Sequence, residues 1–173
     1  LDAEARNDTA TADAGRLKDP VQHLVSVVRA LGGTIPATNQ LPWEIGREGE
    51  NPLTPPSVFG FYSQNFRVPQ TNLAGPEFHI YSPTESVLRG NLMWRMLTNP
   101  AGDITVSLSP FQAAAGNTAN LINTVDQVLM WGRMPAAMRQ VLATAIDQQG
   151  DTTQRMQVAL LLTLLSGLTN VQY

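Results

Sequence analysis

The sequence predicts an all-α fold: an irregular helical bundle carrying one long, ordered loop rich in proline and aromatic residues, with at most a minor short strand. Three observations predict it. Apolar residues recur at helical spacing behind capping residues early in the chain and again throughout its second half. Between these regions, prolines and aromatic rings crowd residues 33–82. Finally, 173 residues with 43% apolar and 14% charged content can build one core and are too apolar for general disorder.

Residues 1–18, rich in Ala, Asp and Thr, read as an exposed lead-in to a single helical domain over 19–173. Asp19 caps a first helix with Pro20 in its first turn. Its apolar stripe is Val21, Leu24, Val25, Val28 and Leu31, and Gly32-Gly33 stop it. From Gly33 to Ser82 no long helix fits. Pro36, Pro42, Pro52, Pro55, Pro56, Pro69 and Pro76 fall there, with Pro83 at the edge, and each removes a backbone donor. The aromatic residues of the same stretch predict a loop strapped across the core, with Phe59 or Phe61 inserted between helices.

Ser82-Pro83-Thr84-Glu85 is a capping-box pattern, followed by Val87, Leu88, Leu92, Trp94, Met96 and Leu97. Ile104, Val106 and Leu108 alternate with polar residues and fit the short strand. Pro110 opens a brief helical turn, and Asn117 caps a helix carrying Leu121, Ile122, Val125, Val128 and Leu129 up to Gly132. Another follows Pro135, with Met138, Val141, Leu142 and Ala145 on its buried face. Asp151 caps the last helix. Its Met156, Val158, Leu160, Leu161, Leu162, Leu164 and Leu165 leave little polar face, which predicts a central position with Leu161 in the core.

The chemistry on offer is narrow. Cysteine is absent, which excludes disulfides, thiolate nucleophiles and cysteine-ligated metals. Eleven basic against fourteen acidic residues give a net charge of −3, so no nucleic-acid partner is expected. In Gly46-Arg47-Glu48-Gly49, the acidic neighbours Glu44, Glu48 and Glu50 would repel phosphate. The apolar run Val158–Leu165 falls well short of the ~20 residues a membrane helix needs. Arg89, Arg95, Arg133, Arg139 and Arg155 stand singly and read as solvated surface side chains.

Two constellations merit a functional reading. Glu77, His79 and Tyr81 alternate, so an extended backbone would turn them one way, with Glu85 close by; these are weak acid–base candidates. Against this, a loop histidine bonded to a neighbour is the plainer reading. Trp43, Phe59, Phe61, Tyr62, Phe66 and Tyr81 are candidates for an aromatic groove that takes glycan or protein. Their plainer role is to anchor the loop. His23 has no second ligand one turn on, where Val27 sits, and reads as a helix-side partner of Asp19. No metal site and no cofactor are expected.

Several blocks, taken together, resemble one family. They are Leu1-Asp2-Ala3-Glu4-Ala5-Arg6, Lys18-Asp19-Pro20-Val21, Pro56-Ser57-Val58-Phe59-Gly60-Phe61-Tyr62, Gly75-Pro76-Glu77-Phe78-His79-Ile80, Leu129-Met130-Trp131-Gly132-Arg133-Met134, and the closing stretch from Arg155 to Tyr173. This ordered series is similar to the C-terminal part of the bacterial family of unknown function numbered 1800. The resemblance implies a longer helical parent, commonly exported, with no established activity. Gly60 and His79 depart from the family pattern, so no family-wide catalytic role carries over to His79.

The expectation is an exported, periplasmic or cell-surface module for binding or assembly. Its partner would be the missing N-terminal part of the parent, another subunit or a glycan. The alternative is a supporting part of a polysaccharide hydrolase. Leu1 in place of methionine points to a piece of a longer chain. The first helix, with Val27 off its stripe, is then the face expected to meet the absent part. A cleft of clustered ionisable groups would favour the enzyme; an exposed aromatic hollow without them would favour binding.

Overall fold

The computed structural model describes residues 15–36, 41–71, 73–100 and 104–172. Eight α-helices appear among them: α1 (Pro20–Ala30), α2 (Leu41–Arg47), α3 (Pro83–Thr98), α4 (Ser109–Ala114), α5 (Thr118–Val125), α6 (Ala136–Asp147), α7 (Thr152–Leu164) and α8 (Gly167–Asn170). The fold is all-α. The one sheet among the described residues is a two-stranded antiparallel pair, β1 (Arg16–Leu17) with β2 (Val171–Gln172), in register Arg16 to Gln172 and Leu17 to Val171. This pair brings the two described ends of the chain together.

The capping residues perform as their chemistry requires. The side chains of Asp19, Asn117 and Asp151 accept from the backbone N–H groups of Gln22, Asn120 and Gln154 at 2.7, 3.0 and 2.9 Å. Ser82 and Glu85 close a full capping box at the start of α3. At the end of α1, Gly32 takes φ +59°, and the N–H groups of Gly32 and Gly33 return to the carbonyls of Arg29 and Val28. A side chain at Gly33 would put its Cβ 2.3 Å from the Thr105 carbonyl oxygen. The chain therefore passes close enough for Thr34 and Thr105 to pair as an isolated bridge.

Helix α7 occupies the middle, packing against α3, α4, α5 and α6. Its buried residues are Met156, Ala159, Leu160, Thr163 and Leu164. Leu161 is only partly buried, while Leu162 and Leu165 are exposed, so Leu160 takes the core position expected of Leu161. An all-apolar sequence here does not mean an all-buried helix. Val87 and Trp94 on α3 and Val141 on α6 also lie outside the core, which takes Met93 and Ile146 instead.

Other expectations need correction. Ile104, Val106 and Leu108 are buried as alternation predicts, but the stretch forms only the single Thr34–Thr105 bridge and no strand. The lead-in reading fails at Leu17, which is buried in β1; residues 1–14 lie outside the described residues. On α1, Val27 is 5% exposed and belongs to the core face, so it presents nothing to a missing segment.

Among its described residues, the loop 33–82 holds no long helix, only α2 and a 3-10 turn at Pro76–Ile80. Neither Phe59 nor Phe61 inserts between helices. Phe59 is 74% exposed, and Phe61 is half-buried in the loop's own hollow rather than between helices. The loop's anchors include Ile45, buried in the core, and three acids, Glu48, Glu50 and Glu77. Glu50 accepts from the Val21 N–H at 3.2 Å, and Glu77 meets Arg16 at 2.6 Å.

Candidate functional site

The Pro76–Ile80 turn decides what happens to the acid–base candidates. In a 3-10 helix, residues two apart do not share a direction, so Glu77 and His79 part company. Glu77 is buried against Arg16. His79 is exposed, and its Nδ1 accepts the Ser63 N–H at 3.2 Å while its ring lies 5.0 Å from that of Phe66. Glu85 is taken up in the cap of α3, where it accepts from the Ser82 N–H and hydroxyl. The three groups form no acid–base unit.

The aromatic candidates divide. Phe59, Phe61 and Tyr62, with His79, line a hollow of about 500 Å³ whose other walls include Ser57, Ser63, Gln64 and Asn65. Local bonding shapes it. Ser57 and Gly60 pair as an isolated bridge; the Ser57 hydroxyl donates to the Gly60 carbonyl at 3.2 Å and accepts from the Phe59 N–H at 3.2 Å. This turn holds Phe59 outward. Tyr62 is half-buried, its hydroxyl 3.4 Å from Arg16, and burial pushes its pKa up. Trp43 stands elsewhere, on α2 beneath the Arg47 guanidinium at 4.7 Å. Tyr81 lies under Arg89 at 4.6 Å, and its hydroxyl meets that of Ser86 at 3.3 Å.

A buried polar cluster went unanticipated. Arg89, read as a surface side chain, is 3% exposed and pairs at 3.4 Å with Glu48, which is 2% exposed. Its Nη1 donates to Asn170 Oδ1 at 3.2 Å and reaches the Lys18 carbonyl at 3.5 Å. One guanidinium thus ties together the N-terminal segment, the end of α2, α3 and α8. Burial outweighs the attraction of Arg89 and pushes the Glu48 carboxyl up to about 7. Arg95, Arg139 and Arg155 are also paired, with Glu44, Asp126 and Asp147.

His23 is fully buried, and neither ring nitrogen has a hydrogen-bond partner. It is no partner of the Asp19 side chain, which caps the helix instead. Burial first, and then the nearby charges of Arg89 and Lys18, lower its pKa to about 3. The sign follows: the unfolded chain takes up a proton below about 6.5 that folded His23 refuses down to about 3, so stability falls as pH drops through this window. Leucine at this position is expected to remove that loss. Between pH 7.5 and 5, denaturant titration of His23→Leu is expected to show a decline smaller by roughly 2 kcal/mol than in the parent chain. Parallel declines would contradict the assignment.

Among the described residues, no group of three His, Cys, Asp or Glu side chains is placed to hold a metal ion, and no helix is long and apolar enough to cross a membrane. The family model for a protein of unknown function, DUF1800, matches residues 1–170. The chain belongs to the DUF1800 family. No curated protein matches it, and no solved structure does. DUF1800 membership thus names a lineage without naming an activity, and the site must be argued from its own chemistry.

Proposed function

We propose that this DUF1800 chain is a glycan-binding module acting at the bacterial cell envelope. The observation that carries the reading is the hollow formed by Phe59, Phe61 and Tyr62, with Gln64 and Asn65 on its walls. The face of an aromatic ring is electron-rich and meets the C–H groups of a sugar ring, while amide side chains both donate to and accept from hydroxyls. Phe59 is open to solvent, where a purely structural phenylalanine gains nothing. Its one imidazole already has Nδ1 engaged by the Ser63 N–H, which favours binding over proton transfer. The envelope location rests on the likeness to commonly exported proteins.

Glycan-array screening followed by calorimetric titration tests the reading. Phe59→Ala is expected to weaken binding about tenfold or more while leaving stability within about 0.5 kcal/mol, because the ring is exposed. Undiminished binding by Phe59→Ala would refute the assigned hollow.

One observation favours a second reading, the hydrolase. Glu44 and Glu48 lie one helical turn apart and line a hollow of about 190 Å³ with Asn91 and Arg95. Glu48 is pushed up to about 7, while Glu44 pairs with Arg95 at 2.6 Å. Two carboxyl groups in unlike surroundings are what acid-assisted glycoside cleavage requires. Both carboxylates are nonetheless bound by arginines, so this reading stands second.

A further inference from the structure

A separate hollow, of about 560 Å³, lies where α1, the α5–α6 connection and the C-terminal segment meet. A volume of this size suits a small organic ligand. Its apolar wall includes Leu129, Trp131 and Leu168, and its charged lining residues are Lys18 and Arg133. Among the described residues, no carboxylate lines it. The hollow thus sets apolar surface beside the Lys18 ammonium group.

Trp131 is the unusual member. Helix α5 runs into a π-turn at Asp126–Met130, and Trp131 follows with φ +58°, a backbone conformation that bulky side chains rarely adopt. The surroundings enforce it. The Trp131 and Gly132 N–H groups both donate to the Asp126 carbonyl, the latter at 3.2 Å. The buried Asp126 carboxylate accepts the Met134 N–H at 2.9 Å and pairs with Arg139. A turn of this shape is met more easily by glycine or asparagine. Here it holds an indole that is 80% exposed at the edge of the hollow. The same turn that ends the helix therefore also places the indole beside the hollow.

Lys18 supplies the charge. It is half-buried, and burial lowers its pKa, so a bound anion would relieve the desolvation of its ammonium group. One of its donors goes to the Thr169 carbonyl at 2.9 Å, which fixes the side chain; an ammonium has three.

We propose that this hollow binds a small amphiphilic carboxylate, its apolar body against Trp131, Leu129 and Leu168 and its anionic end toward Lys18. The site is distinct from the aromatic hollow on the loop and does not depend on it.

Calorimetric titration of the full chain with octanoate, octanol and acetate tests the proposal. Octanoate is expected to bind saturably at one equivalent, with octanol and acetate each weaker by about tenfold or more, since each lacks half of the recognition. Trp131→Gly and Lys18→Met are each expected to weaken octanoate about tenfold or more, and Val141→Ala, on an exposed face of α6, to leave it unchanged. Trp131→Gly relaxes the backbone and keeps the test decisive should Lys18→Met fold poorly. Non-saturating octanoate heats, octanol binding as tightly as octanoate, or full affinity in Trp131→Gly would each overturn the proposal.

Discussion

Replacing Arg89 by alanine is expected to cost the fold about 3–5 kcal/mol, because it strands the Glu48 carboxyl in the interior. The loss goes beyond one ion pair. Asn170 Oδ1 loses its guanidinium donor, the Tyr81 ring loses its cover, and the tie between α3 and the C-terminal turn is cut. Arg95 on the same helix provides the contrast. Its pair with Glu44 is solvent-exposed on the arginine side, so Arg95→Ala is expected to cost about 1 kcal/mol or less. The double replacement Arg89→Met with Glu48→Leu removes both charges, and is expected to recover much of the loss. Denaturant unfolding checks all three variants. Similar small costs for Arg89→Ala and Arg95→Ala would mean that the buried pair is no keystone. Glu48 adds a pH signature: its raised pKa favours the folded state below about 4.5, and this contribution is lost as pH rises through about 7. That slope opposes the one from His23, so the His23→Leu comparison must be read as a difference between chains.

Leu160→Ala is the second large expectation, at about 2–5 kcal/mol. Leu160 is fully buried on α7, the helix that packs against α3, α4, α5 and α6, and truncation leaves a cavity that the surrounding helices can fill only in part. Leu162, two residues on, is 39% exposed, and its alanine variant is expected to cost well under half as much. Thermal unfolding of the pair locates the buried face of α7. Equal losses would place the helix differently.

What the sequence revealed and what it hid follow from the range of the interactions involved. Asp19, Ser82, Asn117 and Asp151 were legible as caps because each bonds a backbone N–H two or three residues away. The all-α class and the central place of α7 follow from the same local patterns. The Arg89–Glu48 pair was not legible, since its partners lie 41 residues apart and single charges ordinarily face water. His23 and Val27 were misread because the buried face of α1 is wider than a narrow stripe, taking in Pro20, His23, Leu24, Val27 and Val28. Glu77 and His79 were joined on paper by an extended backbone, and separated in the fold by the 3-10 turn that begins at Pro76. The aromatic candidates were visible as residue types. Their division, with three in one hollow and the others on α2, beside His79 and under Arg89, depends on the Ser57–Gly60 turn and the Ser63–His79 bond. Neither could be read from composition or spacing.

The measurement that bears most directly on the glycan-binding account is a two-dimensional amide NMR titration with the oligosaccharide selected by array screening. The account predicts that shift changes concentrate on residues 57–65 and on His79, around the aromatic hollow. Changes centred instead on Glu44, Glu48 and Arg95 would move the site to the paired carboxylates and favour the hydrolase reading. No localised change on the Phe59 hollow, with ligand in excess, would contradict the account.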